Sequence, residues 1–141
     1  MRKRKIFAVL AVLMTAYIFY NSAQPAVESA KTSGHITASV IEMLAYFGIH
    51  IKTDMLEVII RKTAHVAEFF VQSTLIANSF SGRYKNKVVY VLFFGLLTAC
   101  TDEYIQLFFD GRGGLVSDIF IDFGGTALGA AVCGIFRRAR R

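Results

Sequence analysis

Proline and cysteine are both scarce, since the chain has one proline, Pro25, and two cysteines among its 141 residues. No Pro-rich or Ser-rich linker and no repeat of about 20 to 50 residues interrupts it, so nothing marks a second domain. Cys100 and Cys133 lie in separate apolar segments, which excludes a CxxC-type metal site and predicts thiols packed as small hydrophobic side chains. We therefore expect a single domain over residues 1–141 without a disulfide.

Motifs of well-known hydrolases are also missing. The chain has no GxSxG nucleophile turn and no HExxH zinc motif, and the nearest approach, HVAE from His65 to Glu68, lacks the second histidine. No motif calls for a cofactor or a resident metal, and we predict neither. Nucleic-acid binding is excluded as well, because the basic residues flank apolar runs and no RNA-type aromatic motif accompanies them.

Apolar sequence, by contrast, is abundant. Hydrophobic residues make up 55% of the chain and its mean hydropathy is +0.49, which exceeds the roughly 45 to 50% apolar content of a soluble domain. Four apolar runs approach the length of about 20 residues that a membrane-spanning helix needs, and they lie at about 6–22, 62–80, 88–108 and 115–136. The predicted fold class is an all-α integral membrane bundle of four transmembrane helices.

The first apolar run follows a basic N-terminus and is short, so a signal peptide is one interpretation. The segment 21–26 lacks a good small-x-small cleavage site, and Tyr17 and Tyr20 suit an anchor at the membrane interface. These features favour a retained first helix.

The segment between the first two spans is mixed in polarity. Its apolar residues recur every three to four positions, at Ile36, Val40, Leu44, Phe47 and Ile51, which predicts an extracellular amphipathic helical segment at the membrane interface. Asp54 followed by Glu57 predicts a helix start of the capping-box type, because the Asp54 side chain can accept a backbone N–H. This helix then continues into the second span.

The distribution of Lys and Arg predicts the orientation. The N-terminal tail holds 4, the loop after the second span 3 and the C-terminal tail 4, whereas the long first connection is less densely basic and the turn at 110–114 holds only Arg112. Positive residues favour the cytoplasmic side, so both termini are placed in the cytoplasm, with the chain crossing the membrane several times.

Ionisable residues inside the predicted spans are the strongest functional signal. Each buried charge costs about 2.5 to 3.5 kcal/mol on insertion scales, so such groups need partners, water or protons. Helical spacing places them on one face of each of three spans, and the topology places every face in the outward half. The candidates for this outward polar pocket are Lys62, His65, Glu68, Asp102, Glu103, Gln106, Arg112, Asp118 and Asp122.

Two further glycines continue the face of the last span. Gly125 and Gly129 form a GxxxG pair, which allows the backbone of a neighbouring helix to approach closely. Because such a pair is common by chance in a segment rich in Gly and Ala, we assign it to helix packing only. The turn Asp110-Gly111-Arg112-Gly113-Gly114 is predicted to be tight, since glycine permits a positive φ.

These residues together resemble the VanZ-like family of bacterial membrane proteins, which is named for a teicoplanin-resistance protein. The resemblance covers most of the chain and is carried by short motifs on successive predicted helices. They comprise Ser22, Gln24, Pro25, Ser29 and Ser33, then Arg61-Lys62 with His65 and Glu68, then Asp102-Glu103 with Gln106, and finally Arg112, Asp118, Gly125 and Gly129.

The sequence departs from the family pattern at two positions. Phe69 stands where the family usually has Tyr, which excludes a phenolic role there, and Asp122 stands where it usually has Asn. The resemblance implies a four-helix membrane protein and an effect on glycopeptide susceptibility in a Gram-positive bacterium. It implies no chemical mechanism.

Four functions remain open from the residues. The leading hypothesis is that the protein acts on the cell envelope at the outer leaflet of the membrane. Arg61, Lys62 and Arg112 would bind the anionic head group of a lipid-linked wall precursor. Alternatively, the protein would bind the acyl chain of a lipoglycopeptide such as teicoplanin among the membrane lipids.

The alternatives use the same polar residues differently. An intramembrane metal-assisted hydrolase or transferase would use His65 or Glu68 as general base and Asp102, Glu103 and Asp118 as ligands of Mg²⁺ or Ca²⁺. A small transporter coupled to ions or protons would need a homodimer, because four spans are few. A purely structural network would pair the carboxylates with Lys and Arg.

Overall fold

The structure is a computed structural model that describes residues 2–49, 51–81 and 84–139. These residues form five α-helices and no strand, so the all-α fold class is confirmed. The helices are α1 (Arg2–Ser22), α2 (Ala26–Tyr46), α3 (Thr53–Ser79), α4 (Tyr84–Gln106) and α5 (Val116–Ala139).

Three of the helices are long and apolar enough to cross a membrane. They cover Arg2–Ser22, Lys87–Gln106 and Val116–Ala139, which correspond to the first, third and fourth predicted spans. The predicted second span lies within α3, which has the length but carries more polar side chains. α3 is the central helix of the bundle, since it packs most extensively against α5 and α1 and also contacts α2 and α4.

The predicted amphipathic segment lies mostly on α2, which begins ten residues before Ile36 and ends before Phe47. Pro25 precedes the first helical residue, in keeping with its fixed φ and its missing N–H. The helix ends at Tyr46, so Phe47 is its C-cap residue and Ile51 lies beyond it. Gly48 then turns the chain with a φ of 74°.

The capping prediction at Asp54 is wrong. α3 begins at Thr53, its N-cap residue is Lys52, and no side chain caps it. Asp54 instead lies in the first turn, where a negative charge is favourable beside the positive end of the helix dipole. Asp54 therefore lies at a helix start, as predicted, but does not form the predicted cap hydrogen bond.

The turn between α4 and α5 has the predicted tight conformation at Gly111, whose φ is 73°. α4 ends at Gln106, two residues before the predicted end of the third span. The Ala26 N–H donates to the Asp110 carbonyl oxygen at 3.0 Å, which ties this turn to the start of α2. Three of the arginines counted in the basic loop and the C-terminal tail, Arg83, Arg140 and Arg141, lie outside the described residues.

The two ends of the bundle differ in charge. Lys87 lies close enough to Arg4 and Arg137 for their charges to interact, so α1, α4 and α5 bring basic residues to one end. An apolar core comes next, made of Ala11, Ile76, Ala77, Val91 and Ala130. A smaller cluster of Ile18, Phe69 and Ala99 separates this core from the polar residues at the opposite end.

Candidate functional site

A polar cavity of about 220 Å³ lies at the end of the bundle opposite the basic residues. It is formed where the middle of α3 meets the last turn of α4, the first turns of α5 and the glycine-rich turn between them. Its lining comprises Val58, Arg61, Lys62, His65, Glu103, Gln106, Gly111, Arg112, Gly113, Leu115, Asp118, Ile121 and Asp122.

Three cations line this cavity, and they are held in different ways. Lys62 Nζ pairs with Asp118 Oδ1 at 2.5 Å, between α3 and α5. Arg112 donates from Nε to the Gln24 carbonyl oxygen at 3.1 Å and from Nη2 to the Asn21 carbonyl oxygen at 3.2 Å. Arg61 Nε is buried and has no hydrogen-bond partner in the described part of the chain.

Arg112 therefore holds the glycine-rich turn against the end of α1. The acceptors of its hydrogen bonds are neutral carbonyl oxygens, so these bonds do not neutralise its charge. Burial lowers the pKa of Arg112 from its ordinary value, and the nearby positive charge of Arg61 acts in the same direction. The guanidinium still stays protonated at neutral pH, because its ordinary pKa is far higher. Arg112 thus contributes a positive charge to a lining that also contains the carboxylates of Glu103, Asp118 and Asp122.

The floor of the cavity is a cluster of one imidazole and two carboxylates. His65 Nδ1 lies 3.4 Å from Asp122 Oδ1 and 3.9 Å from Asp102 Oδ2. Both carboxylates are enclosed, since Asp102 is 0% and Asp122 1% exposed. Their charges are therefore held inside the bundle rather than facing lipid.

The end of α1 supplies partners to these acids. Ser22 Oγ donates to Asp102 Oδ1 at 2.5 Å, and Asn21 Nδ2 donates to Glu68 Oε1 at 2.9 Å. Gln106 Nε2, one turn after Asp102 on α4, donates to Asp102 Oδ2 at 3.0 Å. A carboxylate that accepts such bonds is fixed in one orientation, which favours a preformed site.

Glu103 is placed at the start of α5. Its Oε2 accepts the Leu115 N–H at 2.7 Å, just before the first residue of that helix. This carboxylate therefore satisfies a backbone donor at a helix N-terminus, where negative charge is also favourable. Gly114 approaches closely here, because a Cβ at that position would lie 2.8 Å from the Glu103 carbonyl oxygen.

Most residues of the predicted polar pocket come together. Those that line the cavity are Lys62, His65, Glu103, Gln106, Arg112, Asp118 and Asp122. Asp102 lies beneath it against His65, whereas Glu68 turns toward Asn21 and is not part of the lining.

The two packing glycines lie deeper in the bundle, where α5 crosses α3. A Cβ on Gly125 would collide with the Val66 carbonyl oxygen, and one on Gly129 would collide with Ser73 Oγ and lie 2.6 Å from the Phe70 carbonyl oxygen. The absence of side chains at these positions lets the two backbones approach, directly below the polar cluster.

Sequence reasoning did not assign Asn21 and Ser22 to the pocket. Ser22 is one of the residues that carry the family resemblance, which is the signal in the sequence that points to it. Helical spacing could not place it, because Ser22 and Asp102 are 80 residues apart in sequence.

The structure also shows which side chains lie close enough together to bind the same cation. Among the described residues, the group of His, Cys, Asp or Glu whose ligand atoms all lie within 4.8 Å of one another is His65, Asp102 and Asp122. The ligand set suggested by the sequence, Asp102, Glu103 and Asp118, is arranged differently. Asp118 pairs with Lys62, and Glu103 accepts the Leu115 N–H.

The family model described as VanZ/LLP1 matches residues 7–137, which is nearly the whole chain. No curated protein matches the chain, and no solved structure does.

Proposed function

We propose that this chain, which belongs to the VanZ/LLP1 family, crosses the bacterial cytoplasmic membrane four times. Its polar cavity binds the anionic head group of an amphiphile at the outer leaflet. Such an amphiphile is a lipid-linked cell-wall precursor or a lipoglycopeptide of the teicoplanin type. Binding at the cell envelope lowers susceptibility to teicoplanin-type glycopeptides.

The length of α3 supports its assignment as the second span, which brings the number of spans to four. Its 27 residues extend about 40 Å at about 1.5 Å per residue, which exceeds a hydrocarbon core of about 30 Å. Its central position in the bundle shields Phe69, Gln72 and Ser73, which are all fully buried. A polar helix surrounded by apolar helices can cross lipid because its polar groups do not contact hydrocarbon.

The basic end supports the orientation. Arg4, Lys87 and Arg137 come from three helices and lie near one another, as expected if this end faces the cytoplasm. With four spans, both termini are cytoplasmic, α2 lies on the outer side, and the polar cavity opens toward the outer leaflet.

The observation that carries the proposal is the set of three cations around one small cavity, where Arg61 Nε is buried and has no hydrogen-bond partner among the residues that the structure describes. A buried unsatisfied donor is costly, and an anionic oxygen is the partner that suits a guanidinium best. A cavity of about 220 Å³ is smaller than the roughly 300 to 1,000 Å³ of a drug-sized site, so it suits a head group and not a whole glycopeptide.

The hydrocarbon part of the amphiphile has a separate place on the bundle. A groove of about 730 Å³ between α1 and α4 is lined mainly by apolar side chains, among them Ala8, Val12, Phe19 and Phe94. A groove of this composition suits an acyl chain, because apolar side chains can replace the van der Waals contacts that the chain makes with neighbouring lipid.

The test is expression of the wild type and of Arg61→Gln and Lys62→Gln in a susceptible Gram-positive host, at matched membrane levels, followed by inhibitory concentrations of teicoplanin and vancomycin. We expect the wild type to raise the teicoplanin value selectively. Loss of a charge-assisted contact worth about 1.5 to 3 kcal/mol would weaken head-group binding by roughly 10- to 100-fold, so both variants should lose the effect.

Two matched substitutions control for the loss of positive charge. Arg138→Gln and Lys52→Gln remove the same side chains at exposed positions that do not line the cavity, and they should behave as wild type. Full retention of the effect in Arg61→Gln and Lys62→Gln would reject the cavity as the site. An unchanged teicoplanin value for the wild type would reject the role in glycopeptide susceptibility.

A further inference from the structure

The cluster at the floor of the cavity has the dimensions of a metal site. Zinc bonds of about 2.0 to 2.2 Å in a tetrahedron place neighbouring ligand atoms about 3.4 Å apart. His65 Nδ1 lies 3.4 Å from Asp122 Oδ1 and 3.9 Å from Asp102 Oδ2, and the three ligand atoms all lie within 4.8 Å of one another. The distance between His65 and Asp122 already matches this spacing, and side-chain shifts of up to about 1.4 Å would bring the third ligand atom to it.

An unsatisfied atom at the same place points independently to a ligand. Asp122 is 1% exposed, and its Oδ2 is buried without a hydrogen-bond partner among the described residues. An unpaired carboxylate oxygen inside a bundle is costly, since no protein donor replaces its lost solvation. A cation between the three side chains would satisfy this carboxylate.

Asp102 is already oriented as metal-binding carboxylates usually are. It accepts hydrogen bonds from Ser22 Oγ at 2.5 Å and from Gln106 Nε2 at 3.0 Å, on α1 and α4. Such outer partners hold a ligating side chain in position and are worth roughly 10- to 100-fold in metal affinity.

Negative charge exceeds positive charge within the cluster itself. Two enclosed carboxylates face one imidazole, which can supply at most one positive charge. Lys62 is paired with Asp118, Arg112 is held by carbonyl oxygens, and Arg61 lines the cavity without being part of the cluster. Since charge inside the membrane is costly, the two acids need protons or a cation, and a divalent ion would neutralise both while the imidazole stays neutral.

We propose that His65, Asp102 and Asp122 bind one divalent transition-metal ion of the zinc class at the floor of the cavity. One imidazole nitrogen with two carboxylate oxygens favours Zn²⁺, with Mn²⁺ weaker, over Mg²⁺ or Ca²⁺, which prefer oxygen ligands alone. His65 and Asp122 line the cavity, so the fourth position opens into it. An anionic oxygen of the head group would occupy that position, and this last step rests on the proposed function.

The experiment uses the full chain purified in detergent without a polyhistidine tag. The protein is stripped with a chelator, then titrated calorimetrically with Zn²⁺, and separately with Co²⁺ while its visible absorption is followed. We expect one ion per chain and the absorption bands of four-coordinate Co²⁺. Asp122→Asn and His65→Gln should each weaken Zn²⁺ binding by at least roughly 10-fold, since each removes a direct ligand.

Asp118→Asn is the matched control, because it makes the same chemical change one helical turn earlier on α5, at a residue paired with Lys62. It should keep the wild-type stoichiometry and bind within roughly threefold of the wild type, less than the roughly 10-fold effect of a perturbed ligand. Size-exclusion elution and helical circular dichroism establish that each variant is folded. If Asp122→Asn fails to fold, His65→Gln and the Co²⁺ spectrum of the wild type decide the question.

Absence of stoichiometric Zn²⁺ binding by the folded wild type would overturn the proposal, as would equal affinity in Asp118→Asn and Asp122→Asn. Arg61→Gln separates this inference from the proposed function. It should lose the effect on teicoplanin while its Zn²⁺ affinity does not fall, because Arg61 is not one of the three ligands.

Discussion

The two halves of α3 contact the same neighbouring helices through different chemistry. In the half before Phe69, Lys62 pairs with Asp118 on α5, and His65 faces Asp102 on α4 and Asp122 on α5. In the half from Phe69 onward, Ile76 and Ala77 pack into an apolar core with residues of α1, α4 and α5. We infer that the apolar half supplies most of the stability, whereas the polar half holds a preformed site.

Phe69 marks the boundary between the two halves. It is 0% exposed and packs with Ile18 and Ala99, one turn after His65. Beyond it, Gln72 Nε2 bridges Thr15 Oγ1 at 2.8 Å and Thr98 Oγ1 at 3.0 Å, so the apolar half is not free of hydrogen bonds. The comparison therefore concerns charge, which is confined to the half before Phe69 along the described part of α3.

The largest expected effect is that of Phe69→Ala. Truncating a buried Phe leaves a cavity and costs about 3 to 5 kcal/mol in the free energy of unfolding. Thermal or denaturant unfolding of the purified protein in detergent measures the loss. Phe93→Ala is the control, since Phe93 is 59% exposed and should cost far less. Similar costs for the two variants would contradict the assignment of stability to the apolar half.

The next effect concerns the crossing of α5 over α3. Gly125→Ala places a Cβ against the Val66 carbonyl oxygen and forces the helices apart, which should cost about 3 kcal/mol of stability. Gly124→Ala is a matched control, because a Cβ there meets nothing within 4 Å and helix propensity favours Ala by about 1 kcal/mol. Unfolding midpoints of the two variants should move in opposite directions, and parallel shifts would refute the close crossing.

The sequence predicts the helices well, because apolar length and helical periodicity are local properties. It also predicts that His65, Asp102 and Asp122 point inward, since charge is costly in lipid and each lies on the polar face of its helix. The cost of charge in lipid also explains why α3 is not recognised as a membrane span by its hydropathy. α3 carries the polar residues of the site, and these lower its hydropathy although it lies at the centre of the bundle.

Contacts between distant segments are the part that spacing could not predict. Asn21 and Ser22 end α1 in sequence, and only the packing of α1 on α3 and α4 brings them to Glu68 and Asp102. The capping error at Asp54 has a local cause. Acidic residues favour both the cap position and the first turn, so composition alone does not distinguish the two.

The smallest effect tests the polar half directly. Ser22→Ala removes the donor to Asp102 Oδ1 and should cost about 1.5 kcal/mol, the lower range for a hydrogen bond to a charged group. Ser39→Ala on α2 is the control, because Ser39 is exposed and donates only to the His35 carbonyl oxygen of its own helix.

If the halves differ as inferred, Ser22→Ala should lower the unfolding midpoint less than Phe69→Ala, yet weaken ligand binding at the cavity because Asp102 loses its fixed orientation. Head-group and Zn²⁺ titrations of the folded variant measure this second effect. A stability loss as large as that of Phe69→Ala, with unchanged binding, would mean that the polar half is a structural network. The charges would then hold the helices together, and the cavity would be only a consequence of their packing.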